Sequence, residues 1–580
     1  MTKKHHIRLI FLLYSFITVM NKNNFSFKIH KSFAGILLMI CLNAFLYPLQ
    51  THAQASSEKG LPFITNYSAK TYNALPQTWS IQEDERGIMY FGVQNYLLEY
   101  DGVKWRKVTI KNNEGASVIR SMGKHKDGLI YYGAFGDAGY LDYDSLGQKQ
   151  TYSLRDFIPA ANRDFLDVWT THATESAVYF QAREYIFRLD DKKPGVKNYS
   201  MMKVWKPQTK FMYAFYLDGN YYVHQQGLGL YKMVNDSLVL IPGSEFTGKE
   251  RMQIMLPYIT ASNEKQYLVG LFYSGLYLFN GKAFQPFATQ ADPIIKTGAT
   301  LYKGLQLRNG SYVLSTTGKG IVIIDAQGNL LQKINRDVGL QDESIYVPYE
   351  DKKGTLWLGM DNGISRIEIA SPLTKFTLQS GINTGVLAIT RFQDNVYIGT
   401  TNGLLAFDKK TSFFNPVPGI PLNQVFTLYP NDNQLLVPGD GLFSVKNKKA
   451  VTIRSSISGD LSLTLLKVPD KFPNILLGGG NFGVAVFNKI GVDGFNFAGY
   501  IPGITDQIWS FGENKDGTIW AGTQAGSVYH VTLAVDEKGD IDFKKTSFKK
   551  YGIEQGYKKG LGQASWFKRL RKIKLVSDSS

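Results

Sequence analysis

One phrase recurs along the chain at intervals of about 39–47 residues, which is the length of one four-stranded propeller blade. A turn of the Asp-Gly or Asn-Gly type leads into a short apolar run that ends at a marker position, and a second Gly then opens another apolar run. The fullest copies are residues 351–364 and 516–526. The marker positions are Gly92, Gly133, Phe180, His224, Gly270, Ser315, Gly359, Gly399, Gly439, Gly478 and Gly522. This repeat predicts a β-propeller, because a single blade cannot bury its faces alone and must stack on its neighbours.

Within each repeat the pattern predicts three short strands and a less regular outer strand. In the first repeat, residues 78–81, 88–91 and 97–100 are apolar and aromatic runs separated by turns. Short strands of β-branched and aromatic residues between Gly, Asp and Asn turns are typical of an all-β repeat. No helical period or coiled-coil heptad follows Ala55. The sequence therefore predicts an all-β fold of tandem β-propellers with four-stranded blades.

The number of repeats predicts two propellers. Eleven to twelve repeats exceed the roughly four to eight blades of a single propeller. We expect a seven-bladed propeller over residues 61–380 and a second, incomplete one over residues 382–580 that ends within a blade. The strand at 61–68 is expected to close a ring, and the sequence does not say which. After Trp566 the pattern decays into a basic run, which we interpret as truncation; a solvated or nucleic-acid-binding tail is the alternative.

The first 55 residues are predicted to be a targeting segment. They hold two apolar runs, and the second has basic residues before it and Ala53-Gln54-Ala55 after it, as in a secretory signal. A membrane anchor is the alternative, but the stretch is interrupted and shorter than the ~20 apolar residues of a spanning helix. We expect cleavage after Ala55 and propose Met20 as the true start. The only cysteine, Cys41, lies in this segment, so the mature chain would have none, which suits an oxidising compartment.

The net charge of +17 is concentrated at the two ends of the chain. Residues 1–55 and 541–580 carry most of the excess of Lys and Arg, and the body between them is close to neutral. A neutral body has no electrostatic footprint for nucleic acid. The composition therefore argues against a nucleic-acid partner.

The repeat phrase resembles the two-component regulator propeller repeat. The resemblance lies in Leu356-Trp357-Leu358-Gly359 and Ile519-Trp520-Ala521-Gly522-Thr523, and in the lead-in segments 74–81, 339–345 and 503–510. In that family, best known in Bacteroidetes-type bacteria, two tandem propellers form a periplasmic sensor. A β-sandwich with a triple-tyrosine motif, a membrane helix, and a histidine kinase or helix-turn-helix output follow them.

The resemblance covers residues 61–565 and has consequences for function. It implies a periplasmic or extracellular sensor of carbohydrate fragments or other nutrients. No sandwich, membrane span or output segment is found in the sequence, and we interpret the chain as a truncated regulator. A membrane would be reached only through those missing segments, and a homodimer through the propellers is left open.

The candidate ligand site lies on the loops between the second and third strands of the blades. These loops are expected to open on the face where a propeller holds its ligand. Aromatic side chains, amides and single charges together suit a small polar ligand or an oligosaccharide. Each residue alone is better explained as a turn former, and the convergence of seven loops is the stronger evidence. The candidates are Asn95, Phe135, Asp137, Gln181, Arg183, Gln225, Gln226, Phe272, Tyr273, Lys319, Asp361 and Asn362.

Signals of catalysis are few. The four histidines after Ala55 lack metal-ligand spacing. The glycine pattern at 478–483 leads into a strand, whereas a dinucleotide site needs a helix there. We expect binding without turnover, with no cofactor, no metal and no enzyme activity. A secreted polysaccharide lyase that uses His172 and His224 is the alternative, and a protein-interaction scaffold is the third hypothesis.

Overall fold

The computed structural model describes Glu58 and residues 60–110, 117–191, 199–456, 459–555, 567–569 and 574–576. The predicted targeting segment, with Met20 and Cys41, and most of the 566–580 tail lie outside the described residues. Across the described ranges the chain forms eleven four-stranded antiparallel sheets and one two-stranded sheet. The prediction of an all-β propeller fold is confirmed.

The first strand of the chain is β1 (Ile64–Tyr67), and it is followed by helix α1 (Ala69–Tyr72). The next strands form sheets 1 to 3, each from four consecutive strands. Sheet 1 is β2 (Ser80–Glu83), β3 (Met89–Gly92), β4 (Tyr96–Tyr100) and β5 (Trp105–Thr109). Sheet 2 is β6 (Ile119–Lys124), β7 (Ile130–Ala134), β8 (Asp137–Tyr143) and β9 (Lys149–Ser153). Sheet 3 is β10 (Thr170–Ala173), β11 (Ala177–Gln181), β12 (Ile186–Asp190) and β13 (Lys203–Trp205).

Sheets 4 to 6 repeat this order, with helix α2 (Asp292–Ile295) before sheet 6. Sheet 4 is β14 (Phe211–Leu217), β15 (Asn220–Gln225), β16 (Gly229–Val234) and β17 (Ser237–Leu240). Sheet 5 is β18 (Met252–Ile259), β19 (Lys265–Leu271), β20 (Gly275–Phe279) and β21 (Phe284–Pro286). Sheet 6 is β22 (Thr300–Gln306), β23 (Tyr312–Thr317), β24 (Ile321–Ile324) and β25 (Leu330–Ile334).

Sheet 7 has three consecutive strands and takes β1 as its fourth. Its own strands are β26 (Ile345–Glu350), β27 (Leu356–Met360) and β28 (Gly363–Ile367). Sheet 8 is β29 (Val386–Phe392), β30 (Asn395–Thr400), β31 (Gly403–Asp408) and β32 (Phe413–Pro416). Sheet 9 is β33 (Tyr429–Asn431), β34 (Gln434–Gly439), β35 (Gly441–Lys446) and β36 (Lys449–Ser455).

The last sheets close the described chain. Sheet 10 is β37 (Leu463–Lys467), β38 (Ile475–Gly480), β39 (Gly483–Ile490) and β40 (Gly494–Tyr500). Sheet 11 is β41 (Ile508–Glu513), β42 (Ile519–Thr523), β43 (Val528–Thr532) and β44 (Ser547–Tyr551), and the two-stranded sheet is β45 (Phe567–Arg569) and β46 (Lys574–Val576). Single 3₁₀ turns lie at Arg155–Phe157, Ala160–Asn162, Glu245–Lys249, Arg336–Val338, Leu378–Ser380 and Ile553–Gln555. No helix among the described residues is long and apolar enough to cross a membrane.

The innermost strands of sheets 1 to 7 are arranged as a ring. Each packs on the next in sequence order, and β26 of sheet 7 packs back on β2 of sheet 1. The amide of Thr78, just before β2, donates to the Met360 carbonyl of β27 at 2.9 Å. The N-terminal strand β1 pairs with β28, from Ile64↔Ile367 to Tyr67↔Ile364. The strand whose partner the sequence left open therefore completes sheet 7.

The Asp of the repeat phrase fixes the turn between the first and second strands. In sheet 7, Asp351 Oδ1 accepts hydrogen bonds from the amides of Lys353 and Thr355, both at 2.9 Å. Gly354 supplies the left-handed conformation, with φ +79°. The other oxygen, Oδ2, accepts from Trp357 Nε1 at 2.9 Å. One carboxylate thus joins the turn to the buried tryptophan of the next strand.

The marker glycine is the point where neighbouring sheets touch. A Cβ added to Gly133 of β7 would lie 2.3 Å from Val168 Cγ1, in the segment that enters sheet 3. No real Cβ approaches so closely, so the glycine allows the next inner strand to pack flat on the second strand. The most regular position of the repeat is therefore a requirement of blade packing.

Candidate ligand-binding site

The loops between the second and third strands lie together at one end of the ring. Isolated bridges join them to the segments that enter the next sheet, at Gln94↔Val118, Phe135↔Asp167 and Thr317↔Ser344. These loops and the beginnings of the inner strands therefore share one end, which we call the loop face.

Four of the twelve predicted site residues use their side chains to hold loops and strands together. Asn95 Oδ1 accepts from the Ser117 amide at 3.0 Å, and Gln225 Oε1 accepts from the Gln208 amide at 3.0 Å. Asp137 and Gln181 are fully buried, and both polar atoms of each side chain are hydrogen-bonded within the protein. These four are Asn95, Asp137, Gln181 and Gln225.

The other eight predicted residues lie on or near the loop face. Five are exposed on the loops: Phe135, Gln226, Tyr273, Lys319 and Asn362. The remaining three are half-buried and contact the side chains described below: Arg183, Phe272 and Asp361. A ligand-binding role for all twelve stays a prediction.

The buried carboxyl group of Asp137 predicts that the stability of the protein depends on pH. Burial raises the pKa of this group to about 6, although hydrogen bonds from Ser153 and Tyr132 oppose the shift. Because the folded state holds this proton more tightly than the unfolded state, the contribution of Asp137 to stability is greatest below about pH 4 and is lost as the pH rises through about 6. We expect Asp137→Asn to remove this decrease, which is ~2–3 kcal/mol in urea unfolding between pH 4 and pH 7. The control is Asp142→Asn on the same strand, and a decrease that persists in Asp137→Asn would contradict the assignment.

The loop face is crossed by an alternating stack of aromatic rings and guanidinium groups. The ring of Tyr346 stacks on Trp79 at 4.0 Å, with an interplanar angle of 4°. Arg120 Cζ lies 3.9 Å from the centroid of Trp79 and 5.0 Å from that of Trp169. Arg183 Cζ lies 4.9 Å from Trp169. We call Tyr346, Trp79, Arg120, Trp169 and Arg183 the axial stack.

Bulges at the beginnings of the inner strands supply several of these side chains. The ladder shifts register at Arg120 in β6, Gln253 in β18, Tyr302 in β22 and Tyr346 in β26. A bulged residue leaves the ladder, and its side chain is aimed differently from those of the regular strand. The bulge therefore frees one side chain in each of sheets 2, 5, 6 and 7.

Contacts between sheets that are not neighbours show that these side chains meet at the axis of the ring. Tyr213 of sheet 4 and Tyr302 of sheet 6 are close enough for each hydroxyl to shift the pKa of the other. Burial raises the pKa of Tyr213, and Tyr302 and the charges of Arg183, Arg251 and Arg120 oppose the rise. Three guanidinium groups from three different sheets are thus close enough to act on one hydroxyl.

A second layer of polar side chains lies on the inner strands. Burial lowers the pKa of Lys303 in β22 to about 8. Burial also lowers the pKa of His172 in β10 to about 4, and the charge of Lys303 contributes although sheets 3 and 6 lie apart in the ring. His172 Nε2 bonds the Ala214 carbonyl at 2.9 Å, whereas His224 Nε2 bonds the Thr247 carbonyl at 3.0 Å. Among the described residues, no group of three or more His, Cys, Asp or Glu is arranged to hold a metal ion.

Of the axial stack only Arg183 was among the residues predicted from the sequence, although a signal for three of the others exists. Trp79, Arg120, Tyr302 and Tyr346 all stand thirteen positions before the marker of their own repeat. The candidate ligand-binding residues all come from the loops that follow the markers, whereas these four residues precede them. An alignment of the repeats on the marker therefore finds Trp79, Arg120 and Tyr346 of the axial stack, but not Trp169, which stands eleven positions before its own marker.

Comparison with known proteins identifies a relationship of fold. No protein-family model and no curated protein sequence matches the chain. Among solved structures, it is similar to the extracellular domain of the putative hybrid two-component system BT3049 from B. thetaiotaomicron. The TM-score is 0.61 and the identity 16%, over 88% of this chain and 69% of that one.

Two further solved structures are similar over long stretches. The extracellular domain of the putative one-component system BT4673 from B. thetaiotaomicron has a TM-score of 0.41 and 14% identity, over 84% of this chain and 73% of that one. The WD40 β-propeller domain of Doa1 has a TM-score of 0.38 and 11% identity, over 54% of this chain and 97% of that one. The likeness to BT3049 agrees with the resemblance that the repeat phrase predicts. The chain therefore has the β-propeller fold of the extracellular domain of a putative hybrid two-component system.

Proposed function

We propose that this chain is the exported, ligand-sensing part of a two-component-type regulator. It binds a small polar or carbohydrate ligand at the loop face of the first ring and releases it unchanged. The axial stack carries this proposal. It sets flat aromatic surfaces and hydrogen-bond donors from several blades around one axis, a combination suited to a sugar or a similar polar ring.

The loops around the stack support the same site. Arg251 Cζ lies 4.7 Å from the centroid of Phe272, and the exposed ring of Tyr273 packs edge-on against Phe272 at 4.7 Å. Tyr346 donates to Asp361 Oδ1 at 2.7 Å, and so does Gln77. A ligand at this face would contact residues of several blades at once, so binding could alter the packing between blades and be passed on as a signal.

Replacing Trp79 tests the site. We expect Trp79→Ala to weaken binding of the ligand by at least about tenfold, because it removes the ring between Tyr346 and Arg120. A thermal-shift screen of neutral and acidic oligosaccharides finds the ligand, and titration calorimetry gives its affinity. Trp79→Phe should retain most of the affinity. The matched control is Trp205→Ala on the outer strand β13, which should bind as the unaltered protein does. Equal affinity in Trp79→Ala would place the site elsewhere.

The fate of the ligand separates sensing from catalysis. We expect ligand recovered after prolonged incubation to be unchanged by NMR and mass spectrometry. Conversion that is lost in His172→Ala would instead favour the lyase. Specific capture of an exported protein without any small ligand would favour the interaction scaffold.

A further inference from the structure

Four cationic side chains converge on the loop face and axis of the first ring. They are Arg120, Arg183, Arg251 and Lys303, from sheets 2, 3, 5 and 6. Arg120 Nε donates to Asp167 Oδ1 at 2.7 Å. Within the described ranges, the other three have no carboxylate at ion-pair distance. Three of the four cations at this site therefore have no ion-pair partner within the described residues.

Three other carboxylates at this end accept hydrogen bonds from loop groups. Glu250 accepts from the amides of Tyr273 and Ser274, at 2.6 and 3.2 Å. Asp361 accepts from Tyr346 and Gln77. Glu184 lies 3.5 Å from the Leu166 amide. None of these three contacts joins a carboxylate to one of the four cations.

Two polar groups beside the cations are buried without a partner. Arg120 Nη1 has no hydrogen-bond partner, and the guanidinium group to which it belongs lies between two tryptophan rings. Gln253 is 3% exposed, and neither its amide nitrogen nor its amide oxygen is hydrogen-bonded. Gln253 is the bulged residue of β18, two positions after Arg251. Buried donors are normally satisfied, so these groups point to an acceptor that binds there.

We propose that the site recognises an anionic ligand and that the carboxylate, sulfate or phosphate group of that ligand is bound by Arg120, Arg183 and Arg251. The inference rests on the proposed function and adds the charge of the ligand to it. Guanidinium groups pair with the oxygens of such groups through two parallel hydrogen bonds. Gln253 adds a neutral donor two positions after Arg251. Arg183 and Arg251 both act on Tyr213 and have no ion-pair partner within the described residues. Like charges repel, and the anion relieves that repulsion.

Matched pairs of ligands test this proposal on the full chain by titration calorimetry. The probes are glucuronate against glucose, digalacturonate against galactobiose, and the 6-sulfate and 6-phosphate of N-acetylglucosamine against the parent sugar. We expect at least one acidic probe to bind at least about tenfold more tightly than its neutral partner. The preferred acidic probe distinguishes a carboxylate from a sulfate or a phosphate.

Two variants connect the binding to the cations. Arg183→Gln and Arg251→Gln are each expected to weaken binding of the acidic probe by about tenfold. Both side chains are at least partly exposed, so the variants should melt as the unaltered protein does. The charge-matched control is Lys333→Gln on the outer strand β25, which should leave the affinity unchanged.

Three results would overturn the inference. They are equal binding of the neutral partners, full affinity in both arginine variants, or no acidic probe bound at ~10 mM. If a neutral oligosaccharide binds the loop face with the same affinity in both arginine variants, the ligand is not recognised by its charge. The proposal of an anionic ligand then fails, and the sensor proposal stands. If no neutral or acidic oligosaccharide binds, both proposals are contradicted.

Discussion

Deletion of residues 60–68 is expected to destabilise the first ring by at least ~4 kcal/mol, because it removes the strand that completes sheet 7. The four paired residues of β1 would leave β28 as an open edge. The deletion also removes Tyr67, whose ring lies 5.3 Å from Trp105 of sheet 1 and 6.0 Å from Trp357 of sheet 7. The lost strand thus contributes both backbone pairing and packing between the first and last sheets.

Urea unfolding and size-exclusion chromatography measure this effect. We expect a lower midpoint, and oligomers that form through the exposed edge of β28, since an unpaired strand edge recruits other chains. Thr65→Ala is the control, because Thr65 is exposed on the same strand and its backbone pairing with Arg366 stays. An unchanged midpoint and a monomeric deletion variant would show that sheets 1 and 7 hold together without β1.

The parts of the fold that could be predicted are those fixed by local chemistry. The Asp, the Gly and the apolar run of each repeat act within one turn and its two strands, as the contacts of Asp351 show. Repetition then carries the local pattern to the whole fold, since each sheet packs chiefly on its neighbours. The partner of β1 could not be predicted, because Ile64 and Ile367 pair across about three hundred residues with no pattern that links them.

The sequence predicted that the loops share one face of the ring, but not which side chains lie together there. The loops that follow the markers do share one face with the beginnings of the inner strands. However, Asn95 and Gln225 are explained by backbone groups that need acceptors, the usual role of amide side chains in loops. Two members of the axial stack are bulge residues, and a bulge changes side-chain direction without any change in residue type. Arg120 and Tyr346 look like ordinary strand residues until the ladder is known.

Trp357→Ala is expected to cost ~3–5 kcal/mol of unfolding free energy. The side chain is 3% exposed and packs with Phe91, Tyr100 and Tyr67 between sheets 7 and 1. Its loss would leave a large cavity and also an unpaired oxygen on Asp351. Urea unfolding with a fluorescence-independent probe, such as far-ultraviolet circular dichroism, gives the change.

Two further substitutions distinguish the effect of the tryptophan's position in the repeat from the effect of its burial. Trp357→Phe keeps an aromatic ring but removes the indole donor, so it should cost only the unpaired buried oxygen, ~1–3 kcal/mol. Trp520 occupies the same place in the repeat of sheet 11, but it is half-buried and stacks on His530 at 4.2 Å. We therefore expect Trp520→Ala to cost clearly less than Trp357→Ala. Equal costs would mean that the tryptophan stabilises its own blade. Unequal costs would mean that it stabilises the contact between blades, which at Trp357 is also the contact where the ring closes.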